Sequence, residues 1–126
     1  MITLDYSDNR PIFQQVVEKL QIYILKGILP PDYKLPSVRS LAAELSVNPN
    51  TIQKAYSELE REGFLYTVKG KGAFVRFDDS LLDVRKSEIA EHIADLVMEA
   101  ADLKIAKDDL FTEVEEILKK GKGKEI

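Results

Sequence analysis

Three residues, Ser46-Val47-Asn48, are all that separate two amphipathic segments, and so short a link dictates how those segments meet. The first carries Val38, Leu41, Ala42 and Leu45 at the spacing of a helix with one apolar side. The second repeats that spacing at Ile52, Ala55, Tyr56 and Leu59. Each has its own start signal. Ser37 is an N-cap for the first, and Asn48 followed by Pro49 opens the second, where the amide caps free N–H groups and proline suits the first turn. Gly63 supplies a residue that ends the second helix in a left-handed conformation. Two helices joined this tightly share a core, the helix-turn-helix arrangement. Ala42 lets them approach closely, Ser46 sits in the turn, and Leu41, Leu45, Val47, Ile52 and Ala55 fill the space between.

The flanks complete the pattern. Upstream, Asp8-Asn9-Arg10-Pro11 announces a helix with apolar residues at Ile12, Val16, Leu20, Ile24 and Ile28, closed by Gly27, Pro30 and Pro31. Downstream, residues 64–68 and 73–77 are aromatic and β-branched runs that predict two strands. Lys69-Gly70-Lys71-Gly72 between them is a hairpin tip with two residues free to take positive φ. The expected fold is therefore α+β, mostly α, with a winged helix-turn-helix over residues 1–77. After Asp78-Asp79-Ser80 the helical period returns. Ile89, Ile93, Leu96, Val97, Ala100 and Leu103 form one stripe, followed by Leu110, Phe111, Val114, Ile117 and Leu118. Two helices have no core of their own, so residues 78–120 need a further surface. The simplest is a second copy meeting Ile89, Ile93, Leu96, Val97, Ala100, Leu103, Phe111 and Val114; the alternative is folding back onto the same subunit. Residues 121–126 are expected to fray.

Composition removes several classes of function. With 126 residues there is little room for a deep catalytic cleft, and 44% hydrophobic with 32% charged residues is ordinary for a globular chain. No cysteine means no disulfide and no thiolate metal site. Neither a Ser/His/Asp set, a phosphate-cradling loop nor a paired-carboxylate motif occurs, which predicts no catalytic residue, no cofactor and no enzyme. His92 is the only histidine, and a metal needs several convergent donors. Asp78, Asp79 and Asp83 lack the glycine and spacing of a calcium loop; they fit the start of a helix, where negative charge is favourable. Neither the acidic N-terminus nor the short apolar stretch Ile22-Tyr23-Ile24-Leu25 suits export or membrane insertion, so the expectation is a cytoplasmic protein with no membrane partner.

Net charge, −4, argues superficially against a nucleic-acid partner. The average hides a split. Residues 1–76 hold ten Lys/Arg and eight Asp/Glu, net +2, whereas residues 77–126 hold eight and fourteen, net −6. Local cations are what meet phosphates, so the front of the chain remains suited to DNA. On the third helix, burying Ile52, Ala55, Tyr56 and Leu59 turns Asn50, Lys54, Ser57 and Arg61 outward, flanked by Thr51 and Gln53. Asn and Gln pair with adenine, and Lys with guanine or phosphate. Arg39 is placed to reach the backbone beside a groove, and Ser37 stands at a helix start suited to an anion. Lys69 and Lys71 are phosphate handles on a tip whose Gly70 and Gly72 permit close approach. Singly, a polar helix face or an exposed lysine is ordinarily just solvated; in this order and spacing they point together to double-stranded DNA.

Arg10-Pro11-Ile12-Phe13-Gln14-Gln15-Val16, Leu35-Pro36-Ser37-Val38-Arg39-Ser40-Leu41-Ala42, Val47-Asn48-Pro49-Asn50-Thr51-Ile52, the run 55–63 and Gly70-Lys71-Gly72-Ala73-Phe74-Val75 resemble the GntR family of bacterial transcription regulators. The resemblance covers about residues 10–76 and implies that Ser37, Arg39, Asn50, Thr51, Gln53 and Gly72 lie at or near DNA contacts. It further implies a homodimer on a palindromic operator, typically a repressor. Asp32 and Gln53 stand where the family often has Gly and Arg. The short helical tail resembles the YtrA-like group of that family. Two other classes make different demands: a protein-interaction module would present apolar residues on the third helix, and a ligand-responsive sensor would enclose a small-molecule effector in its tail.

Overall fold

The computed structural model describes residues 2–122. The first helix, α1 (Ile12–Leu25), begins directly after Pro11, whose fixed φ suits a helix entrance and whose carbonyl accepts the Gln14 and Gln15 N–H groups. It buries Val16, Val17, Leu20 and Ile24. The expected stripe ends one residue out of step: Gly27 takes φ +75°, the helix stops, and Leu29 rather than Ile28 enters the core. Ile28 is 55% exposed.

Next come α2 (Val38–Leu45) and α3 (Pro49–Arg61). The Ser40 N–H donates to Ser37 Oγ at 3.1 Å and the Asn50 N–H to Asn48 Oδ1 at 2.8 Å, so both expected caps are made. Ser46 carries the turn in a left-handed conformation, φ +56°, at a position where a residue other than glycine stores some strain. Helix α3 sits at the centre, packing on α1, on α2 and on strand β1 (Leu65–Val68), with Ile52, Ala55, Tyr56 and Leu59 all buried. Strand β2 (Gly72–Val75) pairs antiparallel with β1, Leu65 opposite Val75 and Val68 opposite Gly72. The strands are shorter than the expected 64–68 and 73–77. Phe64 is wholly buried in the core, and Arg76 and Phe77 extend past the ladder.

Helix α4 (Ser80–Asp102) starts with the Ser80 N–H donating to Asp78 Oδ1 at 2.8 Å, a bond that holds the Asp78 carboxyl below its ordinary pKa. The chain forms two compact units, Met1–Lys86 and Ser87–Ile126. The first contains the winged helix together with Leu81 in its core and Val84 packed against it. In the second unit the end of α4 leads through Lys104, at φ +58°, into α5 (Lys107–Lys122). Helix α5 therefore includes Gly121 and Lys122, where fraying was expected; residues 123–126 lie outside the described residues. No helix among the described residues is long and apolar enough to cross a membrane.

Candidate nucleic-acid interface

Four of the sequence-predicted DNA residues line one cleft of about 310 Å³ in the first unit. Ser37, at the start of α2, forms one wall; Gln53 and Ser57 of α3 form the floor; Lys71 and Gly72 of the hairpin close the far side. Gln53 Nε2 donates to Ser57 Oγ at 3.3 Å, so the amide lies along the helix, its carbonyl oxygen with no partner among the described residues. Asn50, Thr51 and Lys54 belong instead to a shallower depression on the α1 side of α3, which they share with Pro11, Ile12 and Phe13. The outward face of α3 is thus divided between two neighbours, a wing and a helix start.

Arg39, Lys69 and Gly70 line neither hollow and are exposed. Three residues, Lys69, Gly70 and Lys71, make the hairpin loop, because Val68 already pairs with Gly72 and the Lys71 N–H donates to the Val68 carbonyl at 2.9 Å. Gly70 at φ +79° and Gly72 at φ +123° occupy backbone that other residues rarely adopt. Two of the outward cations have other engagements. The Lys54 ammonium sits 3.9 Å above the Phe13 ring, a cation–π contact. Arg61 bonds the Glu58 carboxylate, and that hydrogen bond holds Glu58 below its ordinary pKa. Arg61, expected to point outward, is paired within its own helix.

The frame behind the cleft is rigid. Tyr56 is buried, its hydroxyl donating to the Pro36 carbonyl at 2.7 Å, which ties α3 to the residue before the α2 cap. Burial pushes its pKa well above the ordinary tyrosine value, so the hydroxyl stays a donor at every physiological pH. In the second unit, Ile89, Ile93, Leu96 and Val97 of α4, Leu103 of the turn, and Phe111 and Val114 of α5 are all exposed, from 45% to 65%. Ala100 differs: at 5% exposure it is buried within the unit. His92 is exposed, and no group of three or more potential metal ligands occurs among the described residues.

Residues 12–75 match the family described as bacterial regulatory proteins, gntR family. The chain belongs to the GntR family. Across 98% of its length it is 36% identical to the HTH-type transcriptional repressor YtrA of Bacillus subtilis, covering 96% of that protein. Among solved structures, a GntR family transcriptional regulator from Listeria monocytogenes superposes with a TM-score of 0.71 at 35% identity, over 90% of this chain and 98% of the other. YtrA from Sulfolobus acidocaldarius, a GntR-family transcription factor, does so at 0.60 and 34% identity, over 74% and 97%. The crystal structure of AraR(DBD) in complex with operator ORE1 aligns at 0.51 and 36% identity, over 58% of this chain and 89% of that one. The GntR resemblance seen in the motifs, and the winged-helix fold, both hold.

For this GntR chain, sequence reasoning missed three contributors to the candidate site. Lys34 lines the cleft beside Lys71. Phe13 seats Lys54. Tyr56 fixes Pro36 as well as filling the core. The period of α3 flagged Tyr56 only as apolar, and no local signal marks Lys34 or Phe13, because each acts through a neighbour distant in sequence.

Proposed function

We propose that this chain is a cytoplasmic, sequence-specific transcriptional repressor that binds a palindromic DNA operator as a homodimer. In this reading α3 lies in the major groove, where Asn50, Thr51 and Gln53 meet base edges and Lys54 meets a base or phosphate. Ser37 and Arg39 fix the register on the backbone, and Lys69, Gly70, Lys71 and Gly72 hold the flanking strand. The observation that carries the proposal is the exposed amide, hydroxyl and cation face at the start of α3, flanked within one unit by the α2 start and the wing. The operator complex of AraR(DBD), a structural neighbour of the same fold, supports it. A polar α3 face also disfavours a protein-docking role, which would need apolar residues there.

The second unit supplies the reason for a dimer. Ile89, Ile93, Leu96, Val97, Leu103, Phe111 and Val114 leave an apolar surface that one copy does not cover, and a two-fold partner buries the same face on both chains. Ala100, already buried, has little surface left to offer a partner. Two α3 helices presented together match a palindrome. The test is selection of bound duplexes from a random pool, followed by gel shift at graded salt and sedimentation of the free protein. Recovery of an inverted repeat, with a dimer in sedimentation, is the expected result. A monomer that ignores every duplex in dilute buffer would sink the proposal.

A further inference from the structure

The residues before α2 are more than a linker. The Asp32 N–H donates to the Val75 carbonyl at 2.8 Å, the Val75 N–H to the Tyr33 carbonyl at 2.9 Å, and the Leu35 N–H to the Ala73 carbonyl at 2.9 Å. Lys34 faces Phe74 across an antiparallel bridge. Residues 33–35 thus form a short third edge on β2. Both ends of that edge are anchored. Asp32, at φ +67°, accepts the Tyr66 hydroxyl at 2.7 Å, and Leu35 is buried in the core. The backbone that carries Lys34 is fixed before any ligand arrives.

Its side chain is directed as well. A Cβ placed on Gly72 would lie 3.3 Å from Lys34 Cε, tighter than ordinary contact, so the lysine stem runs through the space that glycine leaves open. It lines the same cleft as Lys71, Ser37 and Gln53. Among the described residues Lys34 has no carboxylate partner. Glu60, the carboxylate on that cleft, accepts a hydrogen bond from Thr67 Oγ1 at 3.1 Å instead. Two ammonium groups on one cleft repel each other unless an anion lies between them, and a preformed edge lowers the entropy cost of holding one there.

We propose that Lys34 is a phosphate-binding residue of this interface, acting with Lys71 across the cleft to grip the DNA backbone beside the wing. Gly72 is then glycine for a second reason besides its φ: it makes room for the Lys34 stem. This inference rests on the reading of the chain as a DNA-binding protein, and its test separates the two. The affinity of the full-length protein for its selected operator is measured against salt for wild type, Lys34→Gln, Lys34→Arg and Lys71→Gln. Each phosphate contact contributes about 0.9 to the slope of log K against log salt. Lys34→Gln should therefore flatten the slope by about 0.9 per bound chain, about 1.8 for the dimer, making the loss of affinity about 12-fold greater at 50 mM than at 200 mM salt. Lys34→Arg should retain the slope, and the exposed position leaves the melting temperature of both variants unchanged. Lys34→Gln binding like wild type, or weakened by one factor at every salt concentration, overturns the role of Lys34 while leaving the DNA reading intact. Wild-type protein that binds no duplex removes both.

Discussion

The two units of this chain spend their apolar residues in opposite ways. In the first, seventeen hydrophobic residues are buried, from Ile2 to Leu81, around a central α3. In the second, Ala100 is the buried one among the described residues, while Leu96, Val97, Met98, Phe111 and Ile117 stand more than half exposed. Both units carry apolar residues at helical spacing in the sequence. Periodicity therefore announces that a face is apolar without saying what covers it. Where helices cross at a three-residue turn, the cover is the neighbour in the same chain. Helices α4 and α5, joined by four residues, leave most of their apolar residues exposed instead.

That contrast can be broken by substitution, beginning with the largest expected effect. Phe64→Ala, at a fully buried site behind the hairpin, should cost about 3–5 kcal/mol in chemical denaturation, enough to unfold much of a small domain. A loss below about 1 kcal/mol would mean that the first unit is not organised around this core. Leu96→Asp, 64% exposed in one copy, should leave the fold of the first unit intact. If a partner covers it, the unpaired charge should weaken association by about 2 kcal/mol or more, roughly 30-fold, in sedimentation equilibrium. An unchanged dissociation constant would remove α4 from the interface.

Smaller effects sharpen the division within the first unit. Asn50→Ala should lose about 1–3 kcal/mol on the selected operator and relax the base preference at one position, as read by competition with single-base variants. Equal weakening on all sequences would reassign Asn50 to the backbone. Ser37→Ala removes the α2 cap and should cost about 1 kcal/mol of thermal stability, together with a loss of operator affinity. Tyr56→Phe deletes the bond to Pro36 and should cost a similar amount, about 0.5–1.5 kcal/mol, with operator affinity unchanged at temperatures where the fold is intact.

Particular residues show how far the sequence was legible. The caps at Ser37 and Asn48, the placing of Ser46 in the turn and the buried set of α3 all follow from local chemistry, and all are made; the left-handed conformation of Ser46 is set by the fold. The end of α1 was legible only to within a residue: Gly27 was a visible stop, but which of Ile28 and Leu29 turns inward depends on the path after it. In the candidate site, α3 exposed its polar face as its period required. Yet the seating of Lys54 on Phe13 and the presence of Lys34 in the cleft were not legible, whereas the pairing of Arg61 with Glu58, three positions apart on α3, is a local one. Side-chain partners distant in sequence leave no periodic trace.

The sequence by itself determined the elements, their order and the polarity of each face, because caps, turn glycines and apolar spacing act over a few residues. It also determined the family, through motifs dense enough to be distinctive. Only the tertiary structure decided which polar residues share a cleft. That depends on residues 33–35 pairing with β2 and on the Tyr56 hydroxyl meeting Pro36, contacts between segments separated by twenty or more positions. Backbone hydrogen bonds and close packing fix such meetings, and they exist only once the chain has closed on itself.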